Sequence, residues 1–401
     1  MTLEEKVELL NSYYRPTRAE ISLNALQHNI EAFRSLIPAD TKLLACVKAN
    51  AYGHGAVGIS REAERLGIDY LSVAFLDEAL QLRDAGIQTP ILVLGYTGPE
   101  GVAVARQHGV TLTVFSEEVA AAIAALPEDP QQLKVHIKVD SGMGRLGLLY
   151  GKEAADFVEQ MLALPQVEVE GMYTHFSCAD EADKEYTMGQ HRRFQTTVDM
   201  LQARGITLPI IHTGNSATGI DLPELTGNML RLGISLYGLY PSEEVLKERV
   251  ELKPILTVRT RLTRVKRLPK DIGISYGKRY ITEQEDECIG TLPVGYADGF
   301  SRMMSGKVEV LIRGQRVPVV GTICMDQCMV QLSNLGADAV EIQAGEDVVL
   351  IGSQGEEQIR VEEIAVHTGT INYEIICMLA NRVPRIYMRD GVPVEIDNRL
   401  I

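Results

Sequence analysis

Reactive side chains follow several short apolar runs of the sequence, each at the point where the run ends. Lys48 comes directly after the apolar run at 43–47, and the stretch Tyr52-Gly53-His54-Gly55 follows it. Burial at the end of an apolar strand disfavours a charged ammonium, and the neutral amine is the form that makes a Schiff base. On position alone, Lys48 is either such a nucleophile or an ordinary residue at a strand end. The two glycines suit a close approach of the backbone to a ligand.

Polar side chains alternate with apolar ones along the run at 135–139. They are Lys134, His136, Lys138 and Asp140. Parallel strands that are buried on both faces usually consist of continuous apolar residues. This polar face therefore either points into a functional interior or leaves the strand half exposed. Three glycines surround Arg145 at 142–147, which favours a tight loop that presents a guanidinium group to an anion.

Three further runs end in polar residues. His175 ends the run at 167–174, and a lone histidine there is more often structural than a ligand. The last two runs lead into His212-Thr213-Gly214-Asn215-Ser216 and Arg231-Leu232-Gly233-Ile234. Backbone N–H groups and a hydroxyl after the seventh and eighth strands of a barrel suit a phosphate. Together with a strand-end lysine they favour a cofactor that carries a phosphate and an aldehyde. No second histidine lies at a helical i, i+4 spacing, so no zinc site is predicted.

These positions require a regular framework, and the chain between about 40 and 240 supplies its pattern. Eight strand-like apolar runs alternate there with helical segments; they lie at 43–47, 70–74, 90–94, 111–115, 135–139, 167–174, 209–213 and 229–232. Strands that alternate with helices indicate βαβ units, and eight repeats fit a closed (β/α)8 barrel of the TIM type. The alternative is an open doubly wound sheet, which the absence of a GxGxxG fingerprint after the first strand disfavours.

The pattern changes from about residue 253. The segment ILTVRTRLTRVKRL alternates apolar and polar residues, and KVEVLIRGQRVPVVG indicates a hairpin around Arg313-Gly314. We therefore predict a second, mostly antiparallel β domain with a half-solvated sheet. A pair of short helices, VEEIAVHTG and TINYEIICMLANRVP, interrupts it near the end. The expected fold class is α/β plus β.

The composition excludes some classes of binding partner. The chain has 401 residues, with 39 Lys and Arg against 54 Asp and Glu, for a net charge of -15. Such a chain repels nucleic acid and anionic membranes, so neither is an expected partner. Six cysteines without a CxxC pair do not form a disulfide framework. The start has no apolar signal region, and no run approaches the roughly 20 apolar residues of a membrane helix. A soluble cytoplasmic protein is expected.

Nine motifs carry a resemblance to a known family. They are VKANAYGHG (47–55), KVDSGMGRLG (138–147), THF (174–176), NSA (215–217), RLGISLYGLYPS (231–242), SYG (275–277), PVGYADG (293–299), GTICMDQ (321–327) and TINYEI (370–375). In this order they resemble the alanine racemases, enzymes that use pyridoxal 5'-phosphate (PLP). The resemblance covers nearly the whole chain.

The resemblance implies a PLP-binding barrel at 14–252 and a β domain at 253–401, to which a strand at 1–13 is added. It also implies a head-to-tail homodimer in which each active site borrows residues from the partner's β domain. The expected reaction is the interconversion of L- and D-alanine, which supplies D-alanine for peptidoglycan.

The resemblance further implies roles for particular residues. The two bases would be Lys48 and Tyr276 of the partner subunit. The cofactor would be bound by Lys48, Tyr52, His175, Asn215, Ser216, Arg231, Gly233, Ile234 and Tyr373. Arg145 and the backbone N–H of the partner subunit's Met325 would bind the substrate carboxylate. Lys138 matches a lysine that carries a carbamate in many members, which would explain the polar strand face.

The chemistry of these roles has its own logic. Racemisation removes a proton from one face of Cα and returns one to the other, and two bases on opposite faces achieve this. We expect Lys48 to deprotonate D-alanine and Tyr276 to deprotonate L-alanine. The guanidinium of Arg231 donates a hydrogen bond to the pyridine nitrogen without protonating it, whereas PLP-barrel decarboxylases have a carboxylate at that place. Racemisation of a related amino acid such as serine, and a non-catalytic PLP-binding barrel protein, remain alternatives.

Overall fold

The computed structural model describes residues 13–333, 335–336 and 341–401. The predicted strand at 1–13 lies outside the described residues, except for residue 13. The chain forms two compact units. The barrel unit comprises Ala25–Ala51 and Ile59–Pro254, and the β unit comprises the described residues up to Asn24, Tyr52–Gly58 and the described residues of Ile255–Ile401.

Eight parallel strands of the barrel unit form a nearly closed sheet in the described part of the chain. In their order around the sheet they are Met229–Leu232, Lys42–Cys46, Tyr70–Val73, Ile91–Val93, Val110–Val114, Leu133–Asp140, Val167–Tyr173 and Ile210–His212. A two-residue strand, Leu148–Leu149, adds to the end of the sixth. The two ends of the series meet where the N–H of Asn228 donates to the carbonyl of Ile211. Each strand lies within two residues of its predicted bounds, which confirms the (β/α)8 barrel.

Helices connect these strands. The α-helices before residue 254 are Leu23–Leu36, Ala56–Arg65, Leu76–Asp84, Pro99–Gln107, Glu117–Ala124, Lys152–Leu162, Glu185–Ala203 and Ser216–Asp221, with a left-handed helical turn at Lys48–Tyr52 and 3₁₀ turns at Pro223–Leu225, Ile234–Tyr237 and Lys247–Arg249. Local chemistry explains the start of Glu117–Ala124: the Ser116 hydroxyl accepts the N–H of Val119, and two glutamates follow in the first turn. No helix of the described residues is long and apolar enough to span a bilayer.

The interior of the barrel has an apolar layer and a polar one. Five buried apolar or aromatic residues pack together; they are Leu44, Tyr70, Leu92, Ile210 and Met229. The polar face of Leu133–Asp140 is also interior, because His136 and Lys138 are buried while Lys134, at the start of the strand, is exposed. Of the two interpretations of this strand, the one in which its polar face points into the barrel interior is therefore correct.

The β unit contains one large, mostly antiparallel sheet, as predicted. Its strands, in sheet order, are Arg264–Leu268, Glu287–Leu292, Cys328–Gln331, Gln315–Val320, Glu309–Ile312, Asp347–Gln354, Leu256–Arg261, Arg18–Ser22, Arg385–Arg389 and Val392–Asp397, with Glu357–Ile359 beside Asp347–Gln354. Gly273–Ile274 and Tyr280–Ile281 form a small separate pair. The predicted hairpin is confirmed, and Arg313 and Gly314 at its turn have φ of 53° and 73°, as the twist of a tight hairpin requires.

The helices of the β unit are short. They are Val361–Thr368 and Asn372–Cys377, with 3₁₀ turns at Tyr276–Lys278, Tyr296–Asp298 and Arg302–Met304. The two α-helices are the predicted pair near the end of the chain.

One predicted boundary needs correction. The strand Arg18–Ser22, assigned to the barrel by the boundary at residue 14, pairs with Leu256–Arg261 and Arg385–Arg389 in the sheet of the β unit. Its partners lie more than 200 residues away in the chain, so no local pattern could indicate them. The change of unit between Pro254 and Ile255 lies two residues beyond the other predicted boundary.

Candidate active site

The predicted site residues divide between the two units. The barrel unit holds Lys48, Lys138, Arg145, His175, Asn215, Ser216, Arg231, Gly233 and Ile234, and the β unit holds Tyr52, Tyr276, Met325 and Tyr373. Those of the barrel unit lie at or just beyond the carboxyl ends of its strands. Because all eight strands are parallel, these ends meet at one mouth of the barrel, where TIM-barrel active sites are built.

Lys48 opens a turn of unusual handedness. Ala49, Asn50 and Ala51 have φ of 53°, 55° and 54° with ψ near the same values, which is the left-handed helical region. Each L-residue in this conformation costs roughly 1–2 kcal/mol, so surrounding contacts must hold it. The N–H of Ala49 donates to one carboxylate oxygen of Glu78 at 2.6 Å. Sequence reasoning missed this turn because it contains no glycine.

Glu78 ties the Lys48 turn to the next strand end. Its second carboxylate oxygen accepts the N–H groups of Ala74 and Phe75, at 2.7 and 3.2 Å. One carboxylate therefore joins the loops that follow Lys42–Cys46 and Tyr70–Val73. Strained backbone held by its surroundings in this way is found at functional sites.

Arg231 is the most heavily hydrogen-bonded side chain of the mouth. Its Nη2 donates to the carbonyls of Thr174 and Thr213 at 2.9 and 3.0 Å and to Nδ1 of His175 at 3.1 Å. Its Nη1 lies 3.0 Å from Nδ1 of His212. Guanidinium nitrogens only donate, so Nδ1 of both histidines must accept and carries no proton. Burial, and then the charge of Arg231, hold the pKa of His175 and of His212 well below the usual value, so both rings are neutral.

Tyr173 packs against this group and was not predicted. Its ring stacks on His212 with centroids 4.6 Å apart, and the guanidinium carbon of Arg231 lies 5.2 Å from its centroid. Its hydroxyl pairs with that of Thr113 at 2.9 Å. Burial lowers the pKa of Arg231 to about 10, which leaves the guanidinium protonated at neutral pH. The sequence offered one indication of this residue: Tyr173 directly precedes Thr174 and His175 at the end of a predicted strand.

Lys138 is a buried amine in a cationic environment. Its side chain is 7% exposed, and its Nζ lies 4.1 Å from the centroid of the Tyr173 ring. Burial, followed by the charges of Arg231 and Arg145, holds the pKa of Lys138 well below its usual range, and Asp140 opposes this only weakly. This environment therefore favours the neutral form of the amine over the charged one.

The loop that carries Arg145 is tight, as predicted. One carboxylate oxygen of Asp140 accepts the N–H groups of the next residues, at 2.8 Å for Gly142, 2.9 Å for Met143 and 3.1 Å for Gly144. Gly142 and Gly144 have positive φ of 131° and 69°, which explains the need for glycine. The exposed Arg145 follows directly.

Ser216 and Gly233 form the predicted cradle of small polar groups. The Ser216 hydroxyl accepts the N–H of Gly233 at 2.9 Å, and Ile234 begins a 3₁₀ turn directly after it. Asn215 caps the helix Ser216–Asp221, because its Oδ1 accepts the N–H of Thr218 at 3.0 Å. A hydroxyl beside turn N–H groups is the donor set that a phosphate requires.

The four site residues of the β unit differ in their surroundings. The rings of Tyr52 and Tyr373 lie together, with centroids 6.2 Å apart. Tyr276 and Met325 are 71% and 53% exposed. Tyr276 follows Ser275, whose φ of 63° and ψ of -171° are found almost only in glycine. The carbonyl of Tyr276 accepts the hydroxyl of Thr322 at 2.8 Å.

Two family models match the chain. The alanine racemase N-terminal domain matches residues 21–241, and the alanine racemase C-terminal domain matches residues 255–387. The chain belongs to the alanine racemase family. The enzymes of this family are isomerases (EC 5.1.1.1), and the two matches cover both units of the chain.

Individual alanine racemases resemble the chain over almost its full length. That of Desulfovibrio desulfuricans is 46% identical over 378 residues, which is 94% of this chain and 99% of that protein. The alanine racemase of Methanococcus maripaludis is 46% identical over 374 residues, with 93% and 99% covered.

Solved alanine racemase structures share the architecture. That of Clostridium difficile 630 superposes with a TM-score of 0.90 at 40% identity and covers 97% of this chain and 100% of that one. The Bacillus anthracis alanine racemase with bound L-Ala-P gives a TM-score of 0.90 at 41% identity, with 97% and 99% covered. The barrel followed by a β domain is thus the fold of an alanine racemase.

Proposed function

We propose that this chain interconverts L- and D-alanine with PLP as cofactor and with Lys48 and the partner subunit's Tyr276 as its two bases. The observation that carries the proposal is the buried guanidinium of Arg231, held by neutral acceptors at the strand ends of a barrel that also has a strand-end lysine. The matching alanine racemases, one of them with bound L-Ala-P, support alanine as the substrate.

The donors of the barrel unit fit PLP. The hydroxyl of Ser216 and the N–H groups of Gly233 and Ile234 would bind the phosphate, which would replace the bond that the Gly233 N–H makes to the Ser216 oxygen. Asn215 would position their loop by capping the helix. Arg231 donates to the ring nitrogen. When bound, PLP supplies an aldehyde that condenses with amines and a ring that draws electrons from the substrate's Cα. Tyr52 and Tyr373 are proposed as further phosphate ligands.

Lys48 and Tyr276 move the proton. Lys48 Nζ takes the proton from D-alanine, and the phenol oxygen of the partner subunit's Tyr276 takes it from L-alanine on the opposite face. The left-handed turn clamped by Glu78 restricts the positions that Lys48 can reach. His175, which is neutral and accepts from Arg231, joins the network around the site.

Arg231 is proposed to determine the reaction specificity. The guanidinium of Arg231 donates a hydrogen bond and keeps its proton, so it would leave the ring nitrogen of bound PLP unprotonated and the ring a weaker electron acceptor. This limits side reactions such as transamination.

Arg145 and the N–H of the partner subunit's Met325 bind the substrate carboxylate. Lys138 is proposed to carry a carbamate, for which a buried amine with a lowered pKa is suited: the neutral amine nitrogen bonds to the carbon of CO₂ and a proton leaves to solvent. The resulting anion offsets the positive charges of Arg145 and Arg231, which face Lys138.

The assembly and the setting are part of the proposal. A homodimer with shared sites is supported by the exposure of Tyr276 and Met325 on the β unit. All six cysteines are free thiols, as is usual in a reducing compartment, and we propose that the enzyme supplies D-alanine for peptidoglycan from the cytoplasm. We propose that the barrel domain binds the cofactor and that the β domain completes the active site of the partner subunit.

The reaction is tested with purified protein, PLP and L-alanine, followed by chiral chromatography. D-alanine should accumulate until both enantiomers are equal. Lys48→Ala should abolish the visible absorption band of the bound cofactor and lower the rate by about a thousandfold or more. Lys152→Ala, an exposed lysine of the helix Lys152–Leu162, is the matched control and should change neither.

Three outcomes would overturn parts of this proposal. A Lys48→Ala protein that keeps both the band and the activity would remove Lys48 from the mechanism. Faster racemisation of L-serine than of L-alanine would change the substrate. Cofactor binding without racemisation of any of several L-amino acids would identify a non-catalytic PLP-binding protein.

A further inference from the structure

A series of hydrogen bonds runs from Arg231 into the barrel and is used by none of the steps above. His212 Nδ1 accepts from Arg231, and the other nitrogen of His212, Nε2, lies 2.8 Å from Nδ1 of His136. Nε2 of His136 lies 3.3 Å from a carboxylate oxygen of Glu170. The two imidazole rings are fully buried and meet edge to face at 79°. We call these three residues, His212, His136 and Glu170, the relay.

The direction of every hydrogen bond in the relay follows from its two ends. Arg231 can only donate, so Nδ1 of His212 accepts and a neutral His212 carries its proton on Nε2. That proton is donated to Nδ1 of His136, which therefore carries its own proton on Nε2 and donates it to Glu170. Burial lowers the pKa of His136 and holds that of His212 well below its usual value, which keeps both rings neutral.

Glu170 is the negative end of the relay. Its carboxylate also accepts from Lys134 Nζ at 2.9 Å and from the hydroxyl of Tyr70. Burial alone would raise the pKa of Glu170, but the hydrogen bonds from His136, Lys134 and Tyr70 outweigh burial and lower it to about 2. The carboxylate is thus ionised throughout the range in which the protein works.

A buried carboxylate is therefore joined to a buried guanidinium through two neutral rings that point the same way. Hydrogen bonds in such a series polarise one another. The charge of Glu170 makes His136 Nδ1, and then His212 Nδ1, stronger acceptors. A stronger acceptor at Nη1 fixes the orientation of Arg231 and leaves its other N–H groups less positive, so they are weaker donors. An apolar layer would fill the same space without this cost in desolvated charge.

We propose that Glu170, acting through His136 and His212, sets the orientation and the donor strength of Arg231. Glu170 is a positioning residue: it touches neither substrate nor cofactor. This inference rests on the proposed function at one point: the acceptor for the remaining N–H of Arg231 is taken to be the ring nitrogen of PLP.

The test uses the PLP-loaded full chain labelled with ¹⁵N in its histidine rings. In the wild type, NMR should show His136 and His212 protonated on Nε2 alone. Glu170→Gln keeps an oxygen that accepts from His136 but removes the charge, so the ring signals of both histidines should shift, together with the visible band of the cofactor. Glu168→Gln is the matched control: it removes the same charge two residues earlier on the same strand, outside the relay, and should leave these signals unchanged.

The relay also predicts a change in side reaction. With Arg231 a stronger donor, Glu170→Gln should raise the pyruvate formed per racemisation by about threefold or more, within the range of coupling energies in such networks. Glu170→Asp keeps the charge, but its shorter side chain leaves the carboxylate farther from His136. Its pyruvate formed per racemisation should therefore lie between that of Glu170→Gln and that of the wild type.

Two results would overturn the relay. One is a wild-type His212 or His136 protonated on Nδ1, which can be read even if Glu170→Gln fails to fold. The other is a ring shift in Glu170→Gln no larger than in Glu168→Gln. Failure of the proposed function looks different: the predicted ring signals and shifts would be present in a protein that does not racemise alanine.

Discussion

A single donor-only side chain organises the chemistry at the residue scale. Arg231 gives its hydrogens to two carbonyls and two histidines, and because a guanidinium cannot accept, the tautomers of His175 and His212 are decided. Burial, and then the positive charges of Arg231 and Arg145, hold the pKa of Lys138 well below its usual range.

Tyr276→Phe tests the second base. Without the phenol oxygen, the proton of L-alanine has no acceptor on its face, whereas Lys48 still serves D-alanine. In deuterated solvent, D-alanine should therefore exchange its Cα hydrogen while L-alanine does not, and net racemisation should fall by about 10²–10⁴-fold. Tyr150→Phe, a partly exposed tyrosine of the barrel unit, is the control. Equal exchange from both enantiomers in the Tyr276→Phe protein would contradict the two-base assignment.

At the scale of elements, hydrogen bonds link the end of one barrel strand to the end of the next. The left-handed turn after Lys42–Cys46 is strained, and one carboxylate, that of Glu78, holds it through Ala49 while also holding the end of the neighbouring strand. The position of Lys48 thus depends on a helix residue thirty positions further along the chain, not on the local sequence alone.

Glu78→Gln should loosen that turn. The amide has one acceptor oxygen where the carboxylate has two, so either Ala49 or the pair Ala74 and Phe75 loses its partner. Loss of such a partly exposed hydrogen bond costs roughly 0.5–1.5 kcal/mol, and we expect faster loss of PLP on dialysis and a lower rate of racemisation. Asp77→Asn, its exposed neighbour in the same first turn, should leave both unchanged. Retention of PLP equal to the wild type in Glu78→Gln would show that the clamp is dispensable.

At the scale of the whole molecule, the proposed site needs residues from both units. Lys48 and Arg231 belong to the barrel unit, while Tyr276 and Met325 belong to the β unit and are exposed there. An exposed base gains its catalytic surroundings only when another surface covers it, and a head-to-tail dimer with two-fold symmetry covers both copies equally.

Mixing two inactive variants tests the shared site. When Lys48→Ala and Tyr276→Phe proteins are unfolded together and refolded, half of the dimers should be mixed, and each mixed dimer should contain one intact site. Activity should then return to about a quarter of the wild type, from the symmetry of a two-fold dimer. Each variant refolded alone is the control. If both bases came from one chain, the mixture would stay inactive.

The sequence by itself determined the elements, and it named the residues proposed for the site. The eight barrel strands, the Arg313-Gly314 hairpin and the Asp140 loop with its glycines follow from local patterns, because an apolar run, a turn or a cap depends on residues close together in the chain. The nine motifs indicated the family, which two domain models and full-length relatives then showed.

The tertiary structure decided how these parts are placed. It assigned Arg18–Ser22 to the β unit, turned His136 and Lys138 inward, imposed a left-handed turn after Lys48 and joined Glu170 to Arg231 through two rings. Each of these depends on contacts between residues far apart in sequence. Pairing, burial and the direction of a hydrogen bond are set by the partner, and the partner is known only when the chain is folded.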